Sequence, residues 1–242
     1  MPDRRIHRGP NPKDEKLFAT DAVARLCAAV GDYSLLLTRG YAEKSAMKLV
    51  GDRFGLSQRQ RIAVMRSACS DEQLFERGHR RVETGQIAHG RIAIDGYNVL
   101  ITVEAALGGS VILKGRDGCY RDMASVHGTY RKVNETRPAL ELVGSFLEEL
   151  APRDVLWLLD SPVSNSGRLK MLMLELAGEK DWNWQVDLAT SPDAVLKQGR
   201  SIAATSDSAV LDGCGMWVNL AAEIIRGKLP QSRLVDLSGH VA

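Results

Sequence analysis

From residue 90 onward, short apolar runs of strand length alternate with longer stretches whose apolar residues recur every three or four positions. The strand candidates are Arg91 to Ile94, Val155 to Leu159, Trp184 to Leu188, Ser201 to Ala204 and Arg233 to Leu237. Between them Ala139, Leu142, Val143, Phe146, Leu147 and Leu150 fall on one helical stripe. Leu169, Leu172, Met173 and Leu176 form a second stripe, and Val218, Ala221, Ala222 and Ile225 a third. Parallel strands need crossovers long enough to hold a helix, so the expected class is α/β, a mostly parallel sheet flanked by helices. One interruption, VILKGRDGCYRDM at residues 111–123, has an Arg-Asp-Gly centre that predicts a β-hairpin.

Before residue 90 the pattern is different. From Asp14 to about Val82 it is helical, with breaks expected near Gly31, at Gly40, at Gly55 and at Ser70-Asp71, and four helices are expected there. ETGQIAHG, residues 83–90, reads as a linker. The expected organisation is a helical domain over residues 1–85 and an α/β domain over 90–242. Residues 44–66 resemble a helix-turn-helix: a helix, a tight turn at Phe54-Gly55-Leu56, and a second helix capped by Ser57. With Ile62, Met65 and Cys69 on one face of that helix, Arg59, Arg61 and Arg66 are left for solvent or phosphate. An ordinary helical hairpin with a wet basic face fits the same spacing.

Charge is divided unevenly between these parts. Residues 1–90 hold 16 Lys+Arg against 11 Asp+Glu, a balance of +5, and residues 91–242 hold 16 against 19, a balance of −3. Such asymmetry suits a nucleic-acid partner, and a solvated helical surface gives the same count. No apolar run approaches the roughly 20 residues of a membrane span. The polar start, MPDRRIHRGPNPKDEK, lacks a signal-peptide core and reads as flexible. A cytoplasmic protein without a membrane partner is expected. Cys27, Cys69, Cys119 and Cys214 are scattered, without zinc spacing, and are expected to be reduced core residues. Neither GxxxxGK[ST] nor a GxGxxG after a strand is present, and His127 is read as structural.

Three apolar runs of the α/β segment stop at an aspartate: IAID at Asp95, VLWLLD at Asp160 and SIAATSD at Asp207. The ligand crevice of an open α/β sheet lies at the carboxyl ends of its strands, so the three side chains are expected at one edge. Crowded carboxylates repel and raise one another's pKa unless a cation is present, and hard oxygen ligands suit Mg²⁺ or Mn²⁺. The alternative is that each aspartate caps the following helix, although Ser161, Thr205, Ser206 and Ser208 stand beside them as equally good caps. Gly96 would let the backbone pass close to a ligand, and Asn98 would hold a water or a phosphate oxygen; both also suit a tight turn.

IDGYNVL, LWLLDSP and ATSDSAVLDGCGMWVNLAAEII resemble, in order, the three signature segments of the NYN branch of PIN-like ribonucleases. The match covers roughly residues 91–237. It implies Asp95, Asp160 and Asp207 as metal ligands, with Asn98 assisting. The whole chain also resembles a group of archaeal and bacterial proteins in which a short helical domain precedes a PIN-like one. Many PIN domains carry another acid two residues after the TSD aspartate, where this chain has Ala209. Asp212 is the next acid. Gly213 and Gly215 suggest a short, irregular turn there, so Asp212 is expected to act on the metal through water.

The leading expectation is a metal-dependent endoribonuclease using Mg²⁺ or Mn²⁺, with a 5′-phosphate product implied by the resemblance. RNA is the expected partner, with DNA as the alternative and a homodimer as the assembly considered. Arg121, Arg131, Lys132, Arg168 and Lys170 are candidate RNA-backbone contacts and equally suit plain surface positions. Two other readings compete: a PIN-like nucleic-acid-binding or regulatory protein with weak or lost catalysis, and a metal phosphatase acting on small molecules.

Overall fold

A computed structural model describes residues 6–124 and 130–239; His127 lies outside them. Before residue 90 the chain forms α1 (Asp14–Leu17), α2 (Thr20–Thr38), α3 (Glu43–Arg53), α4 (Gln58–Ser67) and α5 (Asp71–Arg80), then a 3-10 turn at Thr84–Ile87. There follow β1 (Arg91–Asp95), α6 (Gly96–Leu107), β2 (Ile112–Lys114), β3 (Tyr120–Arg121), α7 (Thr136–Leu150), β4 (Asp154–Asp160) and α8 (Ser166–Lys180). The rest comprises β5 (Trp184–Ala189), α9 (Pro192–Gln198), β6 (Ile202–Ala204), α10 (Ser208–Gly213), β7 (Trp217–Val218), α11 (Leu220–Lys228) and β8 (Leu234–Asp236).

The fold is α/β. Five parallel strands run in the order β5-β4-β1-β6-β7, so β1 is central and the chain crosses back over it between β5 and β6. Four of the five expected strands lie in this sheet. The fifth, β8, pairs instead with β2 in a small second sheet, β3-β2-β8, in which β2 and β3 form the expected hairpin. Strand β7, only two residues long, carries no periodicity to read.

The period-two alternation of strands decides what each face of the large sheet buries. Ile92 and Ile94, Val155, Trp157 and Leu159, and Ile202 and Ala204 pack with α6, α7, α8 and α11. Ala93, Leu156 and Leu158, and Ala203 pack with Leu196 of α9 and Val210 and Leu211 of α10. Helix α6 is apolar nearly all round and buried from Val99 to Ala106, which is why it shows no amphipathic stripe in the sequence. Gly96 does permit a close approach, but to a strand: a Cβ there would stand 2.6 Å from Leu159 Cδ2 and 2.7 Å from the Leu158 carbonyl oxygen.

The helical segment departs from its expected form in three ways. Gly31 does not break a helix, because α2 carries the buried stripe Leu26, Ala29, Val30 and Tyr33 straight past it. Glycine costs a helix only about 1 kcal/mol, less than such packing returns. On α4 the buried residues are Gln60, Ala63, Val64 and Ser67, so Met65 is 47% exposed and Ile62 only half-buried. Finally, the chain start is tied down from Ile6 onward: the Asn134 N–H donates to the Ile6 carbonyl and Arg8 pairs with buried Glu104 at 2.8 Å. The apolar cluster of these helices is completed by Val111, Leu113, Met123, Val235 and Leu237, from the second sheet and its flanks.

Candidate active site

Strand alternation aims the first two aspartates. Asp95 follows Ala93, and Asp160 follows Leu156 and Leu158, so both project at the carboxyl edge toward the α9 and α10 face. Asp193 enters that edge from the first turn of α9, and Asp207 from the start of α10. The cap reading holds for one of the three expected aspartates. Asp207 Oδ1 accepts from the N–H groups of Ala209 and Val210 at 2.8 and 3.1 Å, whereas Asp95 makes no cap bond and α8 begins behind Asn165, beyond Asp160.

Asp95 is buried and accepts a hydrogen bond from Thr205 Oγ1 at 2.8 Å. Burial pushes its carboxyl up to about 7, the charges of Asp207 and Asp193 add to the rise, and the Thr205 bond opposes it. Burial also raises Asp193, with the Asp207 charge adding, and raises Asp160, with the Asp193 charge adding. The four carboxylates therefore act on one another. Asp193 escaped the sequence reading because β5 does not end on an acid. The signal available was Ser191-Pro192-Asp193, a capped helix start just beyond a strand of the same sheet.

Asn98 stands beside this group on α6. Its Oδ1 accepts from both the N–H and the Oγ of Ser206, at 2.8 and 2.9 Å. A backbone N–H can only donate, so the amide orientation is fixed and its NH₂ end is left without an acceptor among the described residues. Asn98, Ser206 and Asp207 line a cavity of about 410 Å³, closed on another side by Met65 and Arg66 of α4. Tyr97 also lines it, and the buried Tyr97 hydroxyl has no hydrogen-bond partner among the described residues.

Two expected site residues are committed elsewhere. Asp212, expected as an outer partner of a metal on an irregular turn, sits in the regular helix α10. Its oxygens accept from Arg77 Nε at 2.7 Å and Gln73 Nε2 at 2.8 Å, both on α5. Arg121, expected at the RNA backbone, is buried. It binds Asp117 through two hydrogen bonds of 2.9 and 2.6 Å, and its Nε donates to the Ser206 carbonyl at 2.7 Å. Burial opposes the charge of Asp117, but Arg121 and Arg77 overcome it and hold that carboxyl well below the usual range. Arg121 thus fixes the turn that carries Ser206 and Asp207. Arg131, Lys132 and Arg168 are exposed and Lys170 is half-buried.

The arginines of the helix-turn-helix reading are also occupied. Arg59 forms a two-bond pair with Asp14 at 2.5 and 2.8 Å, Arg61 pairs with Asp52 at 2.7 Å, and Arg66 donates to the Asp122 and Ala124 carbonyls. Among the described residues no helix is long and apolar enough to cross a membrane.

The chain belongs to the family of the domain of unknown function DUF5616, which matches residues 84–223. Residues 25–80 match the protein of unknown function DUF434, so the two matches meet where the helices give way to the sheet. The chain is 31% identical over 197 residues to an uncharacterized protein of Methanocaldococcus jannaschii, covering 80% of this chain and 93% of that one. No solved structure matches the chain.

Proposed function

We propose that this protein is a metal-dependent endoribonuclease whose active site is the carboxyl edge of the large sheet. One observation carries the reading: Asp95, buried at the end of the central strand, is held near neutrality by burial and by the charges of Asp207 and Asp193. Such crowding costs stability unless a cation relieves it.

The donor set fits Mg²⁺ or Mn²⁺. Among the described residues no three His, Cys, Asp or Glu side chains are grouped closely enough to enclose an ion. Mg²⁺ does not require that, since it keeps several waters and is commonly held by one or two carboxylates together with substrate phosphates. Of Asp95, Asp160, Asp193 and Asp207, Asp95 and one neighbour would hold it directly and the others through water. When bound, the ion activates water and offsets the charge building on the phosphodiester. The Asn98 NH₂ donates to a phosphate oxygen, while Ser206 and Arg121 keep that amide and Asp207 in register. Arg131, Lys132, Arg168 and Lys170 offer contacts to the backbone of RNA, or of DNA, farther out.

The test is cleavage of a mixed RNA pool by the full chain with Mn²⁺ and with EDTA. Cleavage should occur with Mn²⁺ alone and be abolished by Asp95→Asn and by Asp193→Asn; undiminished activity in Asp95→Asn would sink the reading. The open grouping of the acids, together with Ala209, favours a second reading of RNA binding without turnover. That reading requires a gel shift with intact RNA under the same conditions.

A further inference from the structure

We infer that the cavity of about 410 Å³ beside Asp207 is a pocket for one unpaired nucleotide, built jointly by the helical segment and the sheet. The nuclease reading supplies the reaction at this pocket, but binding itself does not depend on that reading. The volume falls within the roughly 300 to 1,000 Å³ of small-molecule sites. Its walls divide by chemistry. Met65, Tyr97 and Ile101 give an apolar side, and Asn98, Ser208 and Asp207 a polar one next to the carboxylates.

One donor on these walls is unspent. The Asn98 NH₂ has no acceptor among the described residues, because Ser206 holds the other end of the amide. The Tyr97 ring adds apolar surface to the cavity wall, while its hydroxyl is buried. A ligand that supplies an acceptor gives the Asn98 amide the bond it lacks.

The cations on the same walls are already committed. Arg66 donates to the Asp122 and Ala124 carbonyls and Arg121 to the Ser206 carbonyl and Asp117, so the cavity offers no free clamp for a simple anion. What it offers is an apolar wall facing the Asn98 donor. A nucleotide has that complement, with its base against Met65, Ile101 and the Tyr97 ring, and its ribose and phosphate oxygens toward Asn98. The size admits a single nucleotide and excludes a base pair, so the nucleotide must leave any duplex to enter. Met65, half-exposed on α4, is the contribution of the helical segment to recognition.

The test titrates the metal-free full chain in EDTA with AMP, GMP, CMP and UMP by calorimetry. At least one should bind, and Met65→Trp, which fills the cavity from an exposed position, should weaken it by about tenfold or more, the scale of one lost base contact. Met65→Glu, which puts a charge on the apolar wall meant for the base, is the second variant should the first fail to melt cooperatively. With Mn²⁺ both variants should lose oligonucleotide cleavage, and wild type should also turn over bis(4-nitrophenyl) phosphate, a diester with no nucleoside. Binding of no mononucleotide at millimolar concentration, or unchanged binding and cleavage in both variants, overturns the pocket. Nucleotide binding lost in the variants, with wild type turning over neither diester, leaves the pocket standing and removes the nuclease reading.

Discussion

The helical segment and the sheet treat charge in opposite ways. Before residue 90, Arg8, Arg59, Arg61, Arg66, Arg77 and Arg81 each pair with a carboxylate. Four of those pairs cross into the sheet segment, to Glu104, Asp122, Asp117 and Glu223. At the carboxyl edge of the sheet, Asp95, Asp160, Asp193 and Asp207 stand together, and among the described residues no salt bridge reaches them. The +5 and −3 balances are therefore in part an internal match. The basic surplus belongs to an interface within the chain, and the sign of function is the set of carboxylates that this interface leaves unneutralised.

Separating the two parts should have the largest effect. Removing residues 1–85 would expose Val111, Leu113, Met123, Val235 and Leu237, leave Glu104 buried without Arg8, and leave Asp117 with Arg121 alone in place of the Arg77–Arg121 pair. Stripping one partner from a buried pair costs about 3 to 5 kcal/mol, and total stability is only about 5 to 15. Residues 86–242 alone should show no cooperative thermal transition by circular dichroism. A folded fragment that had lost only RNA affinity and its salt dependence would restore the helical segment as an independent binding domain.

The sequence made one side of this comparison legible and hid the other. Strand alternation is local, so the sheet, its hairpin and the edge position of Asp95 and Asp160 follow from residues a few positions apart. Ion pairs such as Arg8 with Glu104, 96 residues away, have no local signature. Helix α4 misleads for a related reason. Its buried face is Gln60, Ala63, Val64 and Ser67, and Gln60 is buried because its amide donates to the Leu17 carbonyl at 3.0 Å. A pattern scored on apolar residues alone selects Ile62 and Met65, the wetter face. Asp212 misleads through its neighbours, since Gly213 and Gly215 suggest irregularity that the six-residue helix does not have.

A change at the carboxylate edge sharpens the other half of the comparison. In the folded protein Asp95 titrates at about 7, against about 3.9 for an unfolded aspartate. Between those values the folded state keeps a proton that the unfolded state has released. The contribution of Asp95 to stability is therefore complete below about pH 4 and is lost as pH rises through 7. The full shift corresponds to about 4 kcal/mol as an upper bound. Asp160 and Asp193, raised for similar reasons, act in the same direction. In EDTA, Asp95→Asn should flatten the fall in melting temperature between pH 5 and 8 and melt above wild type at pH 8. Saturating Mn²⁺ should return the lead to wild type. Parallel pH profiles in EDTA would mean that the edge carries no crowding.

The smallest expected effect decides which side of the boundary Asp212 belongs to. Its carboxylate binds Arg77 and Gln73, and its side chain is 35% exposed, so water can replace part of what a substitution removes. Arg77 would keep its bond to Asp117 at 2.7 Å, which spares the buried guanidinium from isolation. Asp212→Asn retains an oxygen that can accept from Arg77, so the loss should be about 1 kcal/mol, seen as a slightly lower melting temperature. The Mn²⁺ concentration giving half-maximal cleavage should not move. Asp193→Asn should do the reverse, holding or raising the metal-free melting temperature while removing the Mn²⁺ response. If instead Asp212→Asn weakens the Mn²⁺ response and Asp193→Asn leaves it intact, the acids of the site have been assigned to the wrong helices, and α10 rather than α9 completes the edge.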